Sequence, residues 1–239
     1  MGTKERFGGN AVTWLGHSAF RIDTADGKVV VIDPWILGNP SCPSANRAFD
    51  RIDLMLVTHG HGDHIGDAVE LAKRHSPKVV AIFETCLWLD SKGVKDTCAM
   101  NKGGTQELCG IKVTMVHADH SCGILDDGKV VYGGEAVGYV LELPGGFKLY
   151  HAGDTNVFGD MKLIAELYRP DAACLPIGDL YTMAPREAAM AARFLGAKHL
   201  IPMHHGTFPA LTGRPEQLKA LVKDLPCEVV ECRPGQTLR

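Results

Sequence analysis

A short apolar run leads directly into the densest group of metal-binding residue types in this chain. The run LMLV at positions 54–57 suits a buried strand, because a strand covered on both faces loses its alternation of apolar and polar residues. The letters THGHGDH follow at 58–64, and the segment 67–75 after them fits a helix. We therefore predict a strand over 54–58 that delivers a loop rich in imidazole and carboxylate groups to its end.

The spacing within this loop suits two metal ions. His59 and His61 are two residues apart, so an extended backbone points both side chains to the same side. The intervening glycines let the backbone fold tightly, and Asp63 and His64 come at the turn into the helix. The loop can offer two imidazoles to one ion, and a carboxylate with an imidazole to a second. Borderline metals such as zinc accept both ligand types.

The rest of the chain mixes strands and helices throughout. Two successive stretches, each β-rich and then β/α, indicate two similar halves packed sheet to sheet with helices outside. The length of 239 residues favours a single domain over 1–239. The predicted strands are 12–15, 19–23, 28–32, 54–58, 79–83, 111–117, 137–143, 147–151, 172–176, 199–203 and 229–231, and the predicted helices are 67–75, 85–92, 160–168, 185–195 and 215–223.

Charge and hydropathy exclude several classes of protein. The net charge is −3 and Lys and Arg are spread along the chain, so no basic stripe suggests a nucleic-acid partner. The longest apolar runs fall far short of the roughly 20 residues of a membrane span. The start, Met1 to Asn10, lacks the apolar core of a secretion signal, so we expect a cytoplasmic protein without a membrane partner.

The eight cysteines include no C-x-x-C pair. Thiols stay reduced in the cytosol, so we expect most of them to be small buried apolar residues. Cys122 is the one to watch, because it lies two residues after a histidine that is a candidate metal ligand.

Several motifs together resemble the metallo-β-lactamase superfamily. More narrowly, the chain looks like the branch of small bacterial and archaeal metal-dependent hydrolases related to the ascorbate-phosphate lactonases. The resemblance covers nearly the whole chain. It is carried by TWLGHSAF at 13–20, IDP at 32–34, the histidine loop, NKGGT at 101–105, HAGDT at 151–155, LPIGD at 175–179 and IPMH at 201–204.

This resemblance implies a four-layer αββα sandwich with two divalent metal ions at one edge between the sheets. Zinc is the first candidate, and manganese, iron and nickel tolerate the same ligands. Asp63 would also be catalytic, orienting the nucleophile and accepting its proton. The implied metal ligands are His59, His61 and His120 at site one, Asp63, His64 and His204 at site two, and Asp154 between the metals.

Some assignments remain open between neighbouring residues. His117 competes with His120, but strand alternation predicts that His117 is buried with a structural role. His205 competes in the same way with His204. Asp33 matches a position where a carboxylate orients metal ligands through hydrogen bonds. His17 also matches a family position near the site that is not a ligand. Its role stays open between site and packing, as do those of the Gly103–Thr105 turn, Tyr181 and Met183.

The resemblance implies hydrolysis of a small ester, lactone or related electrophile by a hydroxide that two metals activate. One alternative is a phosphodiesterase or nuclease, which the slightly acidic charge disfavours. The other alternative is a non-catalytic metal-binding protein. A redox role of the diiron type is disfavoured, because that branch has glutamate at the position of His61.

Overall fold

Two seven-stranded sheets organise the chain in the computed structural model, which describes residues 6–239. Residues 1–5, the first part of the polar start, lie outside the described residues. The first sheet has the order β16-β1-β2-β3-β4-β5-β6, in which antiparallel pairing from β16 to β3 changes to parallel pairing from β3 to β6. Its strands are β1 (Ala11–Gly16), β2 (Ala19–Asp23), β3 (Val29–Ile32), β4 (Leu54–Leu56), β5 (Lys78–Ile82), β6 (Thr97–Met100) and β16 (Thr237–Leu238).

The second sheet repeats this plan with the order β15-β14-β13-β12-β11-β8-β7. Antiparallel pairing from β7 to β12 changes to parallel pairing from β12 to β15. The strands are β7 (Thr105–Leu108), β8 (Ile111–His117), β11 (Val137–Glu142), β12 (Lys148–His151), β13 (Ala172–Pro176), β14 (His199–Met203) and β15 (Glu228–Val229). A separate hairpin is formed by β9 (Gly123–Asp126) and β10 (Lys129–Tyr132).

Helices cover the outer face of each sheet, which completes the αββα sandwich. The alternating side chains of β4 show the layering. All three are buried, but Leu54 and Leu56 pack in the core between the sheets while Met55 packs with the helices outside. The predicted fold class is therefore confirmed. The helices are α1 (Gly62–Ile65), α2 (Ala68–His75), α3 (Phe83–Ser91), α4 (Met161–Tyr168), α5 (Pro185–Leu195) and α6 (Pro215–Leu221), and a 3₁₀ turn spans Ser44–Asn46.

None of the helices in residues 6–239 is both long enough and apolar enough to cross a bilayer.

Thiol counting tests the predicted state of the cysteines. All eight are free in the structure, and Cys42, Cys86, Cys122 and Cys174 are buried. We expect eight reactive thiols when protein kept reduced during purification is denatured and titrated without added reductant. Recovery of six or fewer would reveal a disulfide that the structure lacks.

Candidate metal centre

The histidine loop is anchored from both sheets before the first candidate ligand appears. Thr58 donates from its backbone N–H and its hydroxyl to the two carboxylate oxygens of Asp33, each at 2.8 Å. From the second sheet, the buried Tyr139 hydroxyl donates to the Val57 carbonyl at 2.8 Å. An added Cβ on Gly60 would collide with the Ile124 side chain of the hairpin, so this position needs glycine. The loop therefore has one well-defined path.

Three imidazoles form the first cluster. His59 and His61 follow β4, and His120 lies in the loop after β8. Their ligand-type nitrogens all lie within 4.8 Å of one another, and His59 Nε2 is 3.0 Å from His61 Nδ1. Two donors on one zinc ion at about 2.0–2.1 Å each must come this close. The structure thus brings together the three residues predicted for site one.

Asp63, His64 and His204 form the second cluster, joined by His17. Asp63 and His64 lie on the single turn of α1, and His204 directly follows β14. His64 Nδ1 donates to Asp33 Oδ2 at 2.8 Å, which leaves His64 Nε2 directed at the cluster. Gly178 makes room here, because a Cβ on it would collide with the His204 carbonyl.

Asp154 lies between the two clusters. Its Oδ2 atom is 3.1 Å from His64 Nε2 and 3.0 Å from His204 Nε2. The same oxygen is 3.8 Å from His120 Nε2 and 4.0 Å from His59 Nε2. One carboxylate oxygen therefore faces nitrogens of both clusters.

The donor atoms fit a metal site. Within the described part of the chain, His64 Nε2 and both ring nitrogens of His204 are buried without a well-aligned hydrogen bond, although the two Nε2 atoms lie 3.1 and 3.0 Å from Asp154 Oδ2. Buried polar atoms without partners are rare in folded proteins, and a bound cation would satisfy His64 Nε2 and one of the His204 nitrogens. Imidazole nitrogens and carboxylate oxygens are donors that zinc and related divalent metals accept. The residues present thus fit a divalent metal centre.

Burial and neighbouring charges shift the pKa values of these candidate ligands. Burial lowers the pKa of His59 well below its usual range and also lowers the pKa of His61, so both rings are neutral donors at pH 7. Burial alone would raise the pKa of Asp154, but the neighbouring His204 and His64 lower it well below the usual range. Burial opposes protonation of His64 too, yet Asp154 and Asp33 together raise its pKa well above the usual range.

Metal uptake should therefore tighten as the pH rises. A raised pKa means that His64 carries a proton at neutral pH in the metal-free protein, and this proton must leave before Nε2 can bind a metal. We expect proton release on metal binding at pH 7, measured by calorimetry in buffers with different ionisation heats. Binding heats that do not depend on the buffer would contradict this assignment.

His204 and His205 point to different parts of the molecule. His204 is buried within the second cluster. The ring of His205 instead packs 5.1 Å from the ring of Trp14, outside both clusters. The geometry therefore agrees with the choice of His204 as the candidate ligand.

His117 is exposed, so its predicted burial was wrong. It stands at the last position of β8, where its ring lies 4.9 Å from Phe158 and its Nδ1 is 3.4 Å from Lys102 Nζ. The alternation of side chains predicts burial inside the strand. It does not predict burial of the last residue, where neighbouring elements no longer cover the side chain. His120 joins the metal-type cluster and His117 does not.

Replacing His117 with Ala should consequently have little effect. We expect the free energy of unfolding to change by less than about 1 kcal/mol, because exposed positions contribute little to stability. Metal content should also stay at the wild-type level. Denaturant unfolding and elemental analysis would check both, with His120→Ala as the matched variant that loses metal.

Three residues near the clusters carry contacts that the sequence did not assign. His17 Nε2 is 2.9 Å from Asp63 Oδ2, and Ser18 donates to Asp154 Oδ1 at 3.5 Å. His151 accepts from the Gly153 N–H at 3.2 Å through Nδ1, and its Nε2 lies 3.1 Å from the Ser18 carbonyl. All three belong to the quoted motifs, but no spacing rule indicates their partners.

The other residues with open roles differ in their surroundings. Met183 is buried in the core, whereas Tyr181 is 60% exposed. The Gly103–Thr105 segment is a turn into β7, in which the Gly103 N–H donates to the Met115 carbonyl at 2.8 Å. Cys122 is buried at 3.2 Å from the Gly133 carbonyl, and burial raises the pKa of its thiol. It belongs to none of the described clusters.

Comparison with known proteins agrees with this architecture. The family model described as "Beta-lactamase superfamily domain" matches residues 28–205. A "UPF0173 metal-dependent hydrolase" of Koribacter versatilis is 58% identical over 229 residues, covering 96% of this chain and 97% of its relative. The chain belongs to the UPF0173 metal-dependent hydrolases of the β-lactamase superfamily. The UPF0173 relative from Solibacter usitatus is 56% identical over 95% of this chain and 99% of its own length.

A solved structure shares the UPF0173 architecture described above. Igni18, a metallo hydrolase from the archaeon Ignicoccus hospitalis, has a TM-score of 0.85 and 34% identity. The similarity covers 96% of this chain and 97% of Igni18. This UPF0173 protein is therefore a metal-dependent hydrolase with the metallo-β-lactamase fold, and the His/Asp clusters are its candidate metal site.

Proposed function

We propose that this hydrolase uses two divalent ions, zinc foremost, to cleave a small ester, lactone or related electrophile. The position of Asp154 Oδ2 carries the proposal, because this one oxygen faces nitrogens of both clusters at 3.0 to 4.0 Å. Seven ligand-type residues also exceed what a single four-coordinate ion needs. His59, His61 and His120 would hold one ion, Asp63, His64 and His204 the other, and Asp154 would bridge them.

Bound as a pair, the metals supply a hydroxide nucleophile at neutral pH and stabilise negative charge on a substrate oxygen. The chain contributes orientation and proton transfer. Burial alone would raise the pKa of Asp63, but the hydrogen bond from His17 and the charge of His64 lower it, so the carboxylate is ionised and suited to binding a cation and orienting the nucleophile. Its side chain is 32% exposed, whereas the His59 and His64 side chains are fully buried. Substrate would thus reach Asp63 from the solvent side.

Apolar side chains beside the second cluster favour a small, largely uncharged substrate. The ring of Trp35 lies 5.2 Å from His17 and 5.9 Å from Phe208. The ring of Phe208 also lies 5.7 Å from His17 and is 38% exposed. The two rings offer an apolar surface that suits the hydrocarbon part of an ester or lactone.

The domain organisation, location and partners of the protein follow the same proposal. We propose that residues 1–239 form one domain that acts in the cytoplasm on a small molecule, without a nucleic-acid partner. The net charge of −3 and the scattered Lys and Arg residues support the last point.

A hydrolysis screen with defined metal content tests this function. The protein is stripped with a chelator, reloaded with zinc, manganese, iron or nickel, and assayed on lactones, carboxylic esters, thioesters and phosphodiesters. We expect turnover of lactones or esters that increases as the second equivalent of metal binds. Cleavage of phosphodiesters alone, or activity complete with one equivalent, would contradict the proposal.

A further inference from the structure

His17 is a fully buried polar residue in the turn between β1 and β2. Its backbone has φ 57°, a left-handed conformation that is uncommon for residues other than glycine. Such strained positions persist when the surrounding structure holds them, and they are concentrated at functional sites. The contacts of His17 show what holds it there.

The imidazole connects Asp63 to the loop after β14. His17 Nε2 lies 2.9 Å from Asp63 Oδ2, and His17 Nδ1 lies 3.1 Å from the Thr207 hydroxyl. An ionised carboxylate only accepts hydrogen bonds, so Nε2 must be the donor. In the neutral ring, Nδ1 then accepts from Thr207. The carboxylate, ring and hydroxyl form a directed chain with one orientation.

The backbone of His17 reaches the other side of the same cluster. Its carbonyl accepts from the His204 N–H at 2.9 Å and from Trp14 Nε1 at 2.9 Å. The rings of His17 and His204 have centroids 3.9 Å apart. His204 itself has φ 53°, so two strained residues support each other. One residue therefore contacts two of the three ligands proposed for site two.

A histidine at this place can either bind the metal itself or orient a residue that binds it. A ligand-type atom of His17 lies within 4.8 Å of those of Asp63, His64 and His204. The hydrogen bonds separate the two roles. Both His17 ring nitrogens have partners, whereas His64 Nε2 and both His204 ring nitrogens lack a well-aligned hydrogen bond in the described residues. The nitrogen that donates to Asp63 has no lone pair left for a metal, which favours support.

We infer that His17 is the positioning residue of the second metal site, fixing the Asp63 carboxylate through Nε2–H while Thr207 orients the ring. This inference rests on the proposed binuclear function. It assigns to the GHS segment at 16–18 the task of holding Asp63 at a fixed angle to both clusters, so that carboxylate binding to the second ion requires no reorganisation.

Two substitutions separate hydrogen bonding from packing. His17→Phe keeps a planar ring but removes the donor, whereas His17→Gln places an amide N–H near the position of Nε2. Both variants carry the same strain at φ 57°, so their difference isolates the hydrogen bond. Zinc is titrated into each metal-free protein by calorimetry. In parallel, cobalt is added as the second equivalent to protein that already holds one zinc ion, because the absorption spectrum then reports the geometry of the second site.

We expect His17→Phe to bind the second ion about 10- to 100-fold more weakly, as is typical when a partner of a metal ligand is lost. The first ion should bind as in wild type, and His17→Gln should recover most of the second affinity and of the cobalt spectrum. Thr207→Val should weaken the second ion in the same direction but less. If the His17 variants fail to fold, Thr207→Val provides the test instead, because Thr207 is partly exposed.

The inference is overturned if His17→Phe binds two ions with wild-type affinity, or if the Phe and Gln variants lose affinity equally. If neither His17 variant folds, unchanged second-ion affinity in Thr207→Val overturns it. A wild-type protein that binds only one ion would instead refute the binuclear function, and this inference with it. The wild-type titration therefore distinguishes the two failures.

Discussion

Replacing Asp154 with Asn should remove metal from both clusters and lower hydrolysis by at least about 1000-fold, the upper range for losing one electrostatic stabiliser. Asparagine has nearly the same shape but lacks the negative charge that faces His64 and His204 at 3.1 and 3.0 Å. Without that charge, two cations would have to lie close together with only Asp63 to balance them. Elemental analysis after equilibration with excess zinc should give less than one ion per chain.

Asp119→Asn provides the matched control for this substitution. Asp119 lies in the same loop as His120, but it is exposed and lies outside both clusters. Its Oδ2 accepts a long hydrogen bond of 3.5 Å from Asn156. The control should keep both ions and most of the activity. If the two variants behaved alike, Asp154 would have no special place between the metals.

The second large effect concerns His204. Replacing His204 with Ala removes one donor of the second ion and leaves the three imidazoles of the first cluster intact. Metal content should fall from two ions toward one, and hydrolysis should drop by at least about 100-fold, because one ion cannot both generate the nucleophile and stabilise the developing charge as a pair does.

His205→Ala is the neighbouring control. Its ring packs against Trp14 and lies outside the clusters, so both ions should remain. If His205→Ala lost an ion while His204→Ala kept two, the ligand would be the next residue along the chain. The site would then have to be rebuilt around that change.

The sequence predicted the elements that hydrophobic packing determines. Strands 111–117 and 172–176 and helix 185–195 have the predicted bounds, because each has a clear apolar pattern or a proline start. Four of the candidate ligands, His59, His61, Asp63 and His64, were predictable from the residues alone, since glycine-separated histidines after a buried strand are a strong chemical signal. The choice of His120, Asp154 and His204 rested on the family resemblance. The structure brings all seven together without a change in the residue list.

Other features depend on partners that lie far away in the chain. β6, β7 and the β9–β10 hairpin were missed, because few of their side chains are buried and these short strands form by pairing with a neighbour rather than by burying an apolar face. The one-turn helix α1 is too short to show a period. The role of His17 does not follow from the sequence, because its contact with Asp63 joins residues 46 positions apart.

The most direct test of the binuclear centre is an anomalous-scattering measurement on crystals of the zinc-loaded protein at the zinc absorption edge. We predict two peaks about 3.5–4 Å apart, the usual spacing of paired catalytic metals. One peak should lie among His59, His61 and His120 and the other among Asp63, His64 and His204, with Asp154 between them. A single peak at full zinc occupancy, or a peak away from these residues, would contradict the account.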